Sequence, residues 1–351
     1  MARLAKLLFV LVVVPIGILL MFAVLNALMG PDDTVPATDT GPATTTTTTR
    51  TAATPATTTA SPTAGPTTSP TTPPTTEPGQ YLNEDYRVPD PNPNPPDLPM
   101  PQTVEDLKMY LNTNPLYQQS VAVPVRCDIS QIDLTNASKS QLKTHFDQLT
   151  ACLMRVWGPT LASAGYEAVR PTVTIYSGQV QSACGKLPDE NAVYCAGDQQ
   201  VYYAANLPAI IPYSLRSARF VVDSVVAHEF GHAVQARTGI LLSEQYVEQL
   251  DTQNGNDAAG NDASRRTEMQ ADCFAGQFLG SIAQSAGLTP DDEAAIGQLF
   301  YSIGDDQLTG DPTIDGNHGW GANRQTWIAA GLSNPRLSTC NTFTADANSV
   351  R

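Results

Sequence analysis

The sequence predicts an α+β domain, helix-rich with a small sheet, standing behind an N-terminal transmembrane helix. Three observations carry that expectation. Apolar residues recur at helical spacing through most of the second half of the chain, strand-like alternation is confined to residues 171–203, and residues 7–29 contain no ionisable side chain. The 351 residues carry a net charge of −15. That balance excludes a nucleic-acid partner, because too few cations are present to neutralise phosphates and release counterions.

Arg3 and Lys6 precede the apolar run from Leu7 to Met29, and Asp32 and Asp33 follow it. At about 1.5 Å rise per residue the run is long enough to cross a hydrocarbon core of roughly 30 Å. A cleaved signal peptide would have a shorter apolar region and a small-residue cleavage site, and neither is present. Residues 1–30 therefore read as a cytoplasmic tip and a single-pass anchor in the cell membrane. The cations place the N-terminus in the cytoplasm and everything beyond outside it. Residues 31–102 read as a disordered threonine- and proline-rich stalk, with little apolar surface to offset the entropy of ordering. It is either a glycosylated stalk or a plain linker. The folded part, residues 103–351, should open at Thr103, where Asp106 completes a capping box.

Within it, Leu142, Phe146, Leu149, Leu153 and Trp157 mark a helix over Ser138 to Trp157, and His145 on its edge reads as a surface residue. Pro171 to Tyr176 reads as a strand, and Tyr194 with Val201 to Tyr203 as two short strands joined by a polar turn. Arg216 to Arg237 is a long, almost wholly apolar helix closed by Gly239. Further helices span Ser264 to Ala286, open at Thr289-Pro290-Asp291, and cover Asn323 to Gly331. All six cysteines lie in this domain. An even count outside the cytoplasm reads as disulfides, and the preferred set is Cys127–Cys152, Cys184–Cys195 and Cys273–Cys340.

The chemistry sits in the apolar helix, at His228-Glu229-Phe230-Gly231-His232. Residues four apart share a helical face, so both imidazoles can hold one ion. Glu229 lies about 100° round the helix, where a carboxylate can reach a water on that ion. The competing reading is coincidence, but two histidines on a buried aliphatic helix need polar partners, and the chain has only four. Zinc needs a third ligand. One peptidase class places glycine at position 235 and histidine at 238; Gln235 and Thr238 exclude it. Glu268 on the later helix supplies the ligand instead. Asp272, on the same face, accepts a hydrogen bond from the far nitrogen of a ligand histidine. Cys273 points elsewhere, which leaves the site open to water. His318, in a glycine-rich segment, and Arg324 are candidates for stabilising an oxyanion; an ordinary loop capped by Asn323 is an equal reading.

Taken in order, Cys184-Gly185, Tyr194-Cys195, Gln200-Val-Tyr-Tyr203, the paired-histidine motif, Glu268-x-x-Ala-Asp272-Cys273, Gly304-Asp305-Asp306 and His318-Gly319-x4-Arg324 resemble the putative neutral zinc metallopeptidase family over roughly residues 103–345. The resemblance implies a zincin-like metalloprotease domain. Zn2+ would be bound by His228, His232 and Glu268, Glu229 would be the catalytic carboxylate, and His318 and Arg324 would have roles in the site. It also favours the Cys273–Cys340 pair. The expected function is a membrane-anchored extracytoplasmic zinc metallopeptidase that hydrolyses amide bonds of a peptide or protein substrate. Glu229 would be its general base, and the strand Gln200 to Tyr203 would bind the extended substrate. Two other readings stand beside it: a catalytically inactive zinc-containing surface interaction protein, and an amidase acting on cell-wall peptides.

Overall fold

The computed structural model describes residues 80–351; the expected membrane span and most of the stalk lie outside them. Among the described residues no helix is long and apolar enough to cross a membrane.

The chain joins the domain before Thr103, so the expected boundary falls too late. Leu82 donates its N–H to the Pro124 carbonyl at 2.8 Å, Asn92 donates to the Arg170 carbonyl at 2.9 Å, and Arg237 Nη1 donates to the Pro96 carbonyl at 3.0 Å. Prolines remove backbone donors but keep their carbonyls. A proline-rich segment can therefore be pinned by donors from elsewhere, which its composition does not show. This strap leads into α1 (Val104–Asn112), where Thr103 and Asp106 form the reciprocal capping box.

Helix α2 (Lys139–Ser163) opens at Ser138 with a second box through Gln141 and runs past Trp157 through Pro159. A proline there leaves the carbonyl of residue 155 without its helical donor. Asn83 Nδ2, from the strap, donates to that carbonyl at 2.9 Å. His145 is not at the surface. It is buried, with Nε2 2.7 Å from Asp223 Oδ1 and Nδ1 3.2 Å from the Ser130 carbonyl. A helical period cannot reveal a carboxylate brought to that face by another helix.

The sheet is small. Strands β1 (Val173–Tyr176), β4 (Ala192–Cys195) and β5 (Gln200–Ala204) lie in the order β1-β5-β4, and β2 (Gln181–Ser182) with β3 (Gly185–Lys186) forms a separate hairpin. β5 pairs in parallel with β1 and antiparallel with β4. The strand expected to receive substrate is therefore the central one, with both edges occupied. β1 and β4 are the edge strands.

Helix α3 (Val221–Arg237) carries the paired histidines and starts later than Arg216, because Phe220 before it is left-handed at φ 62°. Gly239, at φ 76°, turns the chain from α3 into α4 (Ile240–Gln253). Helix α5 (Asp257–Ala286) begins before the expected Ser264. The polar stretch 244–263 is thus helical on both sides of a short turn. Then come α6 (Pro290–Ser302), the single-turn α7 (Asp305–Thr309) and α8 (Gly321–Ser333). Helices α5 and α8 touch backbone to backbone: a Cβ on Gly276 would collide with the Ile328 carbonyl, and one on Gly331 with the Cys273 carbonyl. The three disulfides are Cys127–Cys152, Cys184–Cys195 and Cys273–Cys340, the preferred set.

The buried His145–Asp223 pair ties α2 to the first turn of the metal-motif helix. Burial disfavours the imidazolium, but the hydrogen bond and charge of Asp223 prevail and hold its pKa above the ordinary 6.5. A raised folded pKa contributes fully below about pH 6.5, and the contribution is lost as pH rises through the higher folded value. Breaking such a pair costs about 3–5 kcal/mol. His145→Ala should lower the urea midpoint markedly at pH 6, and the gap from the parent should narrow as pH rises.

Candidate metal centre

Helix α3 projects His228 and His232 from one face, and α5 brings Glu268 opposite them. Their ligand atoms all lie within 4.8 Å of one another. His228 Nε2 is 3.3 Å from Glu268 Oε2, His232 Nε2 is 3.4 Å from Glu268 Oε1, and the two Nε2 atoms are 3.2 Å apart. All three side chains are buried.

The surrounding hydrogen bonds fix which nitrogen of each ring faces the common point. Gln235 Nε2 donates to the Thr267 carbonyl at 2.8 Å and to Gln270 Oε1 at 3.1 Å, so its Oε1 is the acceptor facing His232 Nδ1 at 2.8 Å. Gln270 is held in turn, donating through Nε2 to Tyr117 Oη and the Cys340 carbonyl, each at 3.0 Å. His228 Nδ1 lies 2.7 Å from Asp272 Oδ1. Each Nδ1 thus faces an acceptor, and both Nε2 atoms face the shared space with Glu268. That donor set, two imidazoles and a carboxylate, fits a divalent metal ion with a position left open. Cys273 takes no part, being bonded to Cys340.

Arg324 lines the cleft and forms a two-pronged contact with Asp272: Nε to Oδ2 at 2.9 Å and Nη2 to Oδ1 at 2.8 Å. His318 lines the cleft, and its loop is held by Asp305, which accepts the His318 and Gly319 N–H groups at 2.8 Å each. Asp306 accepts from the Gly321 N–H at 2.8 Å. Glu229 Oε2 accepts the Tyr194 N–H of the edge strand β4 at 2.7 Å.

Electrostatics follow the geometry. Burial raises Glu229 above the usual carboxylate range, against the lowering charges of His228 and His232. Burial would also raise Glu268, but the charge of His232 and hydrogen bonds from both histidines hold it well below. Burial opposes the charged form of His228, yet the hydrogen bonds and charges of Asp272 and Glu268 prevail and draw it up to about 10. Glu244, on α4, is buried near Glu268. Burial first, then Glu248 and Glu268, push it well above its ordinary value. Tyr194 was legible as a strand and motif residue but not as a partner of Glu229, because it acts through its backbone, and Glu244 lies outside any motif. Gln235 did carry a signal: standing where one peptidase class has glycine, it helped to exclude that class, and it is the residue that orients the second histidine.

The chain belongs to the family described as putative neutral zinc metallopeptidase, whose model matches residues 107–343. It is 32% identical over 209 residues to the uncharacterized protein Rv2575 of Mycobacterium tuberculosis, covering 54% of this chain and 67% of that protein. It is also 32% identical over 194 residues to the uncharacterized protein YpfJ of Escherichia coli, covering 53% of this chain and 66% of that one. No solved structure matches it significantly.

Metal binding at His228 must displace the proton that Asp272 and Glu268 favour, so affinity should rise with pH and be lost on acidification. Asp272→Asn should weaken zinc binding about 10–100-fold. Competition against a chromogenic chelator at several pH values measures both effects.

Proposed function

We propose that this chain is a membrane-anchored, extracytoplasmic zinc metallopeptidase with a zincin-like catalytic domain. The observation that carries the reading is the pairing of the oriented His228–His232–Glu268 set with Glu229, whose carboxylate sits between that set and an unpaired strand edge. Zinc supplies Lewis-acid polarisation of the scissile carbonyl and acidification of the attacking water. The apolar run of residues 7–29 supports the anchor, and three disulfides support a compartment outside the cytoplasm.

The residues divide the work. Glu229 takes the proton of the attacking water and delivers it to the leaving nitrogen, and a carboxyl raised by burial suits both halves of that transfer. Tyr194 holds it in place. Because the Tyr194 N–H points away from β5, the backbone of Ala192, two residues earlier, faces the same way. An extended peptide can add to this edge as a further antiparallel strand. His318, whose loop is held by Asp305 and which lines the cleft, is assigned the role of donor to the oxyanion of the tetrahedral species. Arg324 is a positioning residue that keeps Asp272 ionised beneath His228. A purely structural zinc site closes with four protein ligands, and among the described residues three converge.

Glu229→Gln should keep its zinc while hydrolysis of a fluorogenic peptide library falls by at least about 10²-fold; undiminished turnover with full zinc content would refute the assignment. His318→Ala should lower kcat by about 10²–10³-fold with little change in zinc content.

A further inference from the structure

Helices α4 and α5 run antiparallel across their short turn, and polar residues sit at the buried contact between them. Their register is fixed at two points. A Cβ on Gly260 would lie 3.5 Å from Glu248 Cγ, and the Thr267 hydroxyl approaches the Glu244 carboxyl. Glu244 and Glu248 are four residues apart on α4, and Gly260, Ser264 and Thr267 follow at spacings of four and three on α5. Each set therefore shares one helical face, and Ser264 falls between the two carboxylates.

Glu244, Ser264 and Thr267 are each 1% exposed. Neither carboxyl oxygen of Glu244 has a hydrogen-bond partner of normal geometry, and neither hydroxyl has one. A buried polar atom left unpaired has lost its water and gained nothing in return. Here four such oxygens stand at one helix contact. The charge around them is of one sign. Glu244 feels the carboxylates of Glu248 and Glu268, with no lysine or arginine among the described residues to offset them. The imidazole of His318 lies near Glu248.

We propose that Glu244, Glu248, Ser264 and Thr267 form a calcium site between α4 and α5, distinct from the His228–His232–Glu268 set. The donors are all oxygen, which suits a hard cation rather than zinc. Calcium takes about six to eight oxygens in flexible geometry, so carboxylates, hydroxyls and water can share it, whereas magnesium demands a stricter octahedron. The ion would offset the repulsion among the three carboxylates. It would also tie α4 to α5 beside Glu268, the residue after Thr267. Its binding does not depend on hydrolysis, so the site stands or falls apart from the peptidase reading.

The test uses the full-length protein in detergent, loaded with zinc and freed of calcium by dialysis. CaCl2 is titrated to about 10 mM, which covers the affinities of extracellular calcium modules, and binding is read by calorimetry and thermal unfolding. One equivalent of calcium should bind, and the unfolding midpoint should rise with calcium but not with MgCl2 at the same concentration. Glu244→Gln should weaken calcium binding by about tenfold or more at unchanged zinc content, because a ligand charge is lost. Ser264→Ala, which keeps every charge, should weaken it as well, and it carries the test if Glu244→Gln does not fold. No calcium binding by the parent, or equal stabilisation by magnesium, would overturn the site and leave Glu244 a neutral carboxyl. Calcium binding undiminished in the folded variants would place the ion elsewhere and overturn it too.

Discussion

The contact between Arg324 and Asp272 governs how this domain can be built. Asp272 is wholly buried, and a carboxylate there is tolerable only with opposite charge and good geometry on both oxygens. Arg324 supplies two parallel hydrogen bonds from α8, and His228 approaches from α3. Three helices must therefore meet at one carboxylate. The glycines at 276 and 331 are what allow it, because they let α5 and α8 approach until backbones touch. The arginine is thus structural and chemical at once: it neutralises the carboxylate that orients His228.

The second histidine is governed by neutral amides instead. Gln235 turns its carbonyl to His232 because its amino group is spent on the Thr267 carbonyl and Gln270. Gln270 extends the chain to Tyr117 and the Cys340 carbonyl, and Cys340 is bonded to Cys273 one residue after Asp272. Orientation of the two imidazoles is therefore fixed from opposite sides of α5, one by charge and one by hydrogen-bond direction. Each depends on a side chain whose own rotamer is locked by packing.

Much of the site was legible in the sequence, and for identifiable reasons. His228, His232, Glu268 and Asp272 advertise themselves through helical spacing, since four residues along a helix return to the same face. Most helices around them were legible to within a few residues, but a polar stretch concealed the whole of α4 and the first two turns of α5. What remained hidden acts at a distance in the chain. The partners His145–Asp223 and Arg324–Asp272 are separated by 78 and 52 residues. Strand order was equally inaccessible, because two short strands in sequence do not reveal which will be flanked on both sides. The strap before Thr103 was misjudged for a related reason: composition reports what a segment can bury, not what other segments donate to it.

The unpaired edge of β4 has a consequence for how this protein behaves in company. Exposed strand edges invite a neighbouring molecule to continue the sheet, and folded proteins shield them with charge, bulges or cover. Here the edge lies inside the cleft, and one of its outward N–H groups is already occupied by the carboxylate of Glu229. A flat sheet from another copy cannot reach it, whereas a single slender chain can. Its place in the cleft shields that edge from pairing with the open edge of another sheet.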